Sequence, residues 1–100
     1  MITRIVKLHF QEDKIDSFLS FFETIKWQVA NQPNCYGMKL LRDVNQPNVV
    51  FTYSKWESEE ALNAYRDSEL FGIVWPTIKP WFQEKAQAWS VEEWFDGFQK

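Results

Sequence analysis

The chain has 100 residues, 45% of them hydrophobic and 18% aromatic, which excludes intrinsic disorder but leaves room for only one domain. A net charge of −3, without a basic stripe on any face, excludes nucleic acid as a natural partner. Cys35 is the only cysteine and no apolar run approaches the roughly 18 residues of a membrane span, so we expect a cytoplasmic protein with no disulfide and no membrane contact.

The first half of the chain predicts a strand followed by a helix. Residues 2–10 alternate between apolar and mixed positions, as a strand requires. The acidic segment 11–13 suits a helix start. Apolar residues then recur at helical spacing until about residue 31, at Ile15, Phe18, Leu19, Phe22, Ile25 and Val29. Pro33 should end this amphipathic helix.

The middle of the chain predicts an antiparallel hairpin and a capped helix. Residues 35–43 and 49–56 both alternate with a period of two, and the segment 44–48 between them supplies a turn. Ser58 stands where an N-cap belongs, with Glu59 and Glu60 in the first turn of a helix over residues 59–66. The chain therefore leaves the sheet directly after Trp56.

The last third predicts a second helical segment and a final strand. Ser68 resembles a new cap for a helix that carries Leu70, Phe71, Val74 and Ile78, and Pro76 should break or kink it. Residues 84–92 alternate again and predict the fourth strand. Residues 93–100 form a C-terminal aromatic tail.

This element order, β-α-β-β-α-β, predicts an α+β, ferredoxin-like fold with one antiparallel four-stranded sheet over residues 1–92. Helices would cover one face of the sheet. The other face carries enough aliphatic and aromatic side chains that we expect a homodimer in which two sheets pack face to face.

Three sequence runs, QPNCYG (32–37), LRD (41–43) and WESEEAL (56–62), closely resemble the antibiotic biosynthesis monooxygenase family of dimeric α+β barrel proteins. The resemblance implies a homodimer with one pocket per subunit between the helices and the sheet. Activities in the family include cofactor-independent oxygenation of quinols and aromatic polyketides, and oxidative degradation of haem. Other members have no assigned reaction.

The resemblance favours a cofactor-independent monooxygenase acting on a small aromatic, quinol or polyketide-like substrate. Because such a substrate is itself the reductant, the protein needs no metal and no other cofactor, only an apolar pocket with a few polar groups. We therefore predict a small aromatic or quinone-like ligand, with polar contacts from Arg4, Asn31, His9 or a tyrosine hydroxyl. The predicted substrate-binding residues are Trp56, Tyr65, Trp75, Asn31 and Tyr53, and the catalytic candidates are Trp56, Tyr65 and His9.

Two alternatives stay open at this point. One is a non-catalytic protein of the same fold that binds or senses a ligand. The other is an atypical haem-binding or haem-degrading protein, although Trp75 stands where haem-degrading relatives carry a histidine, and His9 would have to serve instead.

Purely structural roles are also open for Trp56 at a strand-helix junction and for Tyr65 on an apolar helix face. Core positions are predicted for Phe18, Phe22, Phe71 and Phe82, whereas Trp27 lies off the apolar stripe of its helix.

Overall fold

The computed structural model describes residues 1–98 as a four-stranded antiparallel sheet with helices on one face. The final two residues of the predicted tail lie outside this range. The elements in chain order are β1 (Ile2–His9), α1 (Ile15–Ala30), β2 (Cys35–Arg42), β3 (Val49–Trp56), α2 (Glu59–Arg66), α3 (Glu69–Ile78), a 3-10 turn (Lys79–Trp81) and β4 (Gln87–Val91). The strand order β2-β3-β1-β4 confirms the predicted ferredoxin-like α+β fold.

Several predicted boundaries were wrong. Helix α1 begins at Ile15, because the amide of Lys14 bonds to the carbonyl of Gln11 at 2.9 Å and closes a turn over the acidic segment. Strand β1 ends at His9, and Phe10 makes only an isolated bridge to Phe82. Strand β4 is shorter than predicted because it pairs with β1 over five residues alone, from Gln87 to Val91.

The two serine caps are confirmed, but Pro76 does not break α3. The hydroxyl oxygens of Ser58 and Ser68 accept hydrogen bonds at 3.2 Å from the amides of Ala61 and Phe71. These bonds satisfy backbone donors that a helix start leaves unpaired. Helix α3 passes through Pro76 and ends two residues later at Ile78, where the chain tightens into the 3-10 turn.

One face of the sheet is covered by helices and, in the part of the chain that the structure describes, the other is not. On the helix-facing side, Leu8 and Val50 are buried against α1 and α3, which contribute Ile15, Phe18, Ile25, Val29, Val74 and Ile78. No helix of residues 1–98 covers the opposite side, which carries Tyr53, Ile5 and Trp89 in one cross-strand row. Within residues 1–98, no helix combines the length and the apolar character that crossing a bilayer needs.

The entry into β2 depends on a glycine. A register shift between Cys35 and Gly37 marks a bulge, and Gly37 has φ of 134°, which L side chains rarely adopt. We expect Gly37→Ala to lower the free energy of unfolding by about 1–3 kcal/mol from backbone strain alone, since an added Cβ would meet nothing within 4 Å.

The control for this prediction is Gly72→Ala in α3, where an added Cβ is equally free but the backbone is helical. This variant should raise the free energy of unfolding by about 0.5–1 kcal/mol, because alanine is the better helix former. Urea denaturation measures both. A neutral Gly37→Ala would show that the bulge does not need glycine.

Candidate functional site

A cavity of about 320 Å³ lies between the helices and the helix-facing side of the sheet. It exists because the strands present small or short polar side chains to it where bulky ones would fill the space. Thr52 and Ser54 of β3 face the cavity. Ala86, just before β4, and Ala88, within it, also face the cavity. The result is a mainly apolar space with a few polar groups on its sheet side, the usual composition of a small-molecule site.

Stacked aromatic rings form one wall of the cavity. Trp56 and Tyr65 stack with ring centroids 5.3 Å apart and planes 20° from parallel. Tyr65 meets Phe71 edge to face, and Phe71 stacks on Trp75 at 5.7 Å and 9°. The stacking within each pair and the edge-to-face contact between the pairs hold the four rings in fixed orientations, so the wall is preorganised.

Helix α1 supplies the facing wall. Phe18 stacks on Phe10 at 4.4 Å and contacts Phe22 at 5.8 Å. Phe18 is buried as predicted, whereas Phe22 and Phe71 are only partly buried because they border the cavity. Phe22 and Phe71 therefore pack against the core and also line the cavity.

Trp56 combines a cavity position with deep burial. Its side chain is 1% exposed, and its indole Nε1–H donates to Ser54 Oγ at 2.9 Å. Because this single donor is already paired, Trp56 has no hydrogen bond left to offer a ligand. Its burial and its bond to Ser54 give Trp56 a structural role at the cavity wall.

Tyr65 offers a neutral hydroxyl. Burial, with a smaller contribution from the nearby Cys35 thiol, raises the pKa of Tyr65 to about 12. The phenol consequently stays protonated at all physiological pH values and can donate a hydrogen bond, but it is a poor general base.

The raised pKa of Tyr65 predicts a pH dependence of stability. An unfolded tyrosine ionises near pH 10, so between about pH 10 and 12 the native state keeps a proton that the unfolded state loses. Stability supplied by Tyr65 is complete below pH 10 and falls by up to about 1.4 kcal/mol per pH unit above it. Urea denaturation from pH 9 to 12 should show a steeper decline for the wild type than for Tyr65→Phe. Parallel declines would contradict the shift.

Two arginines stand at the polar side of the cavity. Arg4 of β1 is half-buried, and its Nη1 donates to Ser90 Oγ at 3.0 Å across the β1–β4 pair. Arg66, in the last turn of α2, also lines the cavity. Burial and the positive charge of Arg66 both lower the pKa of Arg4, which places the two guanidinium groups within electrostatic range of each other.

The structure gathers three of the predicted site residues and separates the others. Trp56, Tyr65 and Trp75 line the cavity. Asn31 instead forms the C-cap of α1, and Tyr53 lies on the opposite face of the sheet, so neither lines it.

His9 lies away from the aromatic cavity, at the end of β1. Its Nδ1 is 3.4 Å from a carboxylate oxygen of Glu84. It borders a depression of about 620 Å³ that is larger than the aromatic cavity but open and mostly polar, lined also by Gln11, Asn48 and their neighbours. An open polar depression suits a flat apolar ligand less well than a stacked aromatic wall does.

Sequence inspection missed Thr52, Ser54 and Arg66. A signal for the first two was present, because they are polar residues on the inward-facing side of β3, next to Trp56. Polar side chains at inward strand positions indicate a cavity or a hydrogen-bonded partner. Nothing in the pattern of α2 distinguishes Arg66 from a solvated cation.

The cavity residues do not fit haem. An iron ligand from His9 would have to come from outside the cavity, and the pKa of Tyr65 disfavours the tyrosinate that ligates iron. Met38 lines the cavity, but methionine serves as a haem ligand beside a histidine. In residues 1–98 no three His, Cys, Asp or Glu side chains come together in a group that could hold a metal ion.

Fold and cavity together define a small ferredoxin-like α+β domain with a preformed aromatic pocket between its helices and its sheet. The family profile described as antibiotic biosynthesis monooxygenase matches residues 1–72, and the chain belongs to this family. No curated protein matches the sequence.

Solved structures agree on the fold. The crystal structure of an antibiotic biosynthesis monooxygenase superimposes with a TM-score of 0.87 at 18% identity, covering 93% of this chain and 98% of the other. A candidate antibiotic biosynthesis monooxygenase from Nitrosomonas europaea gives 0.87 at 16% identity, over 95% and 100% of the chains. One from Caulobacter crescentus gives 0.84 at 20% identity, over 92% and 88%. At these identities the likeness shows the fold alone.

Proposed function

We propose that the protein is a cofactor-independent monooxygenase that oxidises a small, flat aromatic or quinol substrate in the cavity between its helices and its sheet. The stacked wall of Trp56, Tyr65, Phe71 and Trp75, facing phenylalanines of α1, is the observation that carries this proposal. Family membership supports it.

The proposed reaction is balanced without a further reductant. A naphthohydroquinone and O2 give a hydroxynaphthoquinone and water, so one oxygen atom enters the ring and the other leaves as water. All four electrons come from the substrate. Its phenolate passes an electron to O2, the two recombine at a ring carbon, and the O–O bond breaks as the second oxygen leaves.

The cavity residues fit the binding and charge requirements of this reaction. Trp75 and the facing phenylalanines of α1 would hold the ring between them, which fixes its orientation toward O2. The Arg4 guanidinium and the neutral Tyr65 hydroxyl would stabilise the substrate anion. No carboxylate or imidazole lines the cavity within residues 1–98, so the substrate proton would leave to water, which favours acidic phenols.

Oxygen uptake with isotope labelling tests this function. Purified protein with 1,4-naphthohydroquinone under ¹⁸O2 should consume oxygen faster than the uncatalysed autoxidation does. Each product molecule should carry one ¹⁸O atom. Trp75→Ala should reduce the rate, whereas Trp27→Ala, an exposed tryptophan outside the cavity, should not. Binding of the hydroquinone without turnover above the control would contradict the enzyme proposal and favour the non-catalytic ligand-binding protein.

A homodimer formed through the uncovered sheet faces is the second part of the proposal. The row Tyr53, Ile5 and Trp89 lies on this face, and Trp89 is 46% exposed in the single chain. Leu41 and Val91 are exposed on the same face. An exposed apolar row of this kind favours association, and two copies related by a two-fold axis would cover each other's rows.

A further inference from the structure

The arginine content of the chain is concentrated at the cavity. The sequence has three arginines, and two of them, Arg4 and Arg66, line this mainly apolar space. The whole chain carries a net charge of −3, so the positive charge here is local and opposes the overall balance.

Neither guanidinium has an acidic partner in residues 1–98. The salt bridges in this range use His9, Lys26 and Lys55, and no Asp or Glu side chain lines the cavity. Arg4 is anchored by the neutral Ser90 hydroxyl, which orients the guanidinium without neutralising it. Arg66 is exposed and Arg4 is half-buried, so the desolvation cost falls on Arg4, and an anion in the cavity would offset it.

The local fold does not require this arrangement. The helix dipole favours a cation in the last turn of α2, which accounts for a basic residue at Arg66 but not for its position on the cavity wall. Arg4 sits on the helix-facing side of a central strand, where Val6 and Leu8 are the neighbouring inward residues. Burial first, and then repulsion from Arg66, lowers the pKa of Arg4, and an anion between the two guanidinium groups would oppose both effects.

We propose that the cavity selects aromatic carboxylates, with the ring held by the Trp56 to Trp75 wall and the carboxylate held by Arg4 and Arg66. The planar guanidinium fork binds a carboxylate through two parallel hydrogen bonds, a geometry that a single phenolate oxygen does not match. This inference rests on the proposed function for the location of the ligand and adds its chemical class. The substrate is then a hydroxylated aromatic acid whose carboxylate stays unchanged while the ring is oxidised.

Calorimetric binding of a matched ligand pair tests the proposal without requiring turnover. The probes are 2-naphthoate and its neutral isostere 2-naphthamide, at pH 7.5 and fixed ionic strength. The wild type should bind naphthoate at least about 10-fold more tightly than naphthamide. Arg4→Gln and Arg66→Gln should each weaken naphthoate binding by about 10- to 100-fold and change naphthamide binding by less than about threefold.

Arg42→Gln is the matched control, because Arg42 donates from Nε to the Pro47 carbonyl at 2.6 Å in the β2–β3 turn and does not line the cavity. The Arg42→Gln variant should prefer naphthoate over naphthamide by the same factor as the wild type does. Arg4→Lys keeps the charge and should retain part of the preference, which supplies a second measurement if Arg4→Gln folds poorly.

The outcomes separate this inference from the proposed function. Equal wild-type affinity for both ligands, or equal losses from Arg42→Gln and Arg4→Gln, would overturn the carboxylate selectivity and leave an aromatic pocket standing. Failure of both ligands to bind would overturn the aromatic pocket and the inference together. Selective naphthoate binding without any oxygen uptake would support the inference while contradicting the enzyme proposal.

Discussion

Trp56→Ala should lower the free energy of unfolding by about 3–5 kcal/mol, the cost typical of deleting a buried ring from a packed site. Trp56 is 1% exposed, stacks on Tyr65 and donates its indole N–H to Ser54. The truncation removes the ring contacts and leaves the 6%-exposed Ser54 hydroxyl without its donor. Urea denaturation followed by circular dichroism measures the loss, and a change below 1 kcal/mol would contradict the packing described.

Trp56→Phe separates stability from ligand binding. It keeps a flat ring but loses the bond to Ser54, so we expect the free energy of unfolding to fall by about 1–3 kcal/mol with the protein still folded. If Trp56 serves the ligand as a ring surface, aromatic binding should weaken only modestly. Complete loss of aromatic binding in a folded Trp56→Phe protein would instead show that the Trp56 indole contacts the ligand directly. Trp27→Ala is the control, since Trp27 is 69% exposed and its removal should change stability by less than about 0.5 kcal/mol.

Ile5→Asp should convert the proposed homodimer into a folded monomer. Ile5 lies at the centre of the cross-strand row with Tyr53 and Trp89, so in the face-to-face dimer its side chain would be buried near the two-fold axis. Two carboxylates brought together there without partners cost several kcal/mol, which weakens dimerisation by at least about 100-fold. Sedimentation velocity across a concentration series measures the shift.

The matched control adds the same charge at a remote site. Asn63→Asp places a new carboxylate on the exposed side of α2, away from the uncovered sheet face, and should leave the dimer intact. A wild-type protein that sediments as a monomer at tens of micromolar would contradict the dimer directly. So would an Ile5→Asp variant that dimerises as well as Asn63→Asp does.

The fold was predictable because its signals are local. Strand alternation, the serine caps and the turn between β2 and β3 act over a few residues, and each is visible in the sequence. The errors arose where distant parts of the chain decide the outcome. The start of α1 depends on a turn whose Gln11 amide bonds to the carbonyl of Trp81, and the length of β4 depends on its register with β1.

The site was less predictable because a cavity is a property of several elements at once. Trp56 and Trp75 were identifiable as rings able to wall a ligand, yet Tyr53 has the same chemistry and the pleat of β3 turns it to the other face. His9 was attractive as the sole histidine, but it lies at the end of β1 beside Glu84, outside the aromatic cavity. Nothing in the sequence distinguishes Arg66, because its position at the cavity depends on how α2 packs over the sheet.

We propose above all that a flat aromatic molecule binds between the helices and the sheet, against the Trp56 to Trp75 wall. A crystal structure of the protein soaked with 2-naphthoate is the sharpest test of this binding mode. We expect ring density within stacking distance of this wall, with the carboxylate toward Arg4 and Arg66. Density confined to the open depression beside His9, or a cavity that stays closed to the ligand at concentrations where calorimetry shows binding, would contradict it.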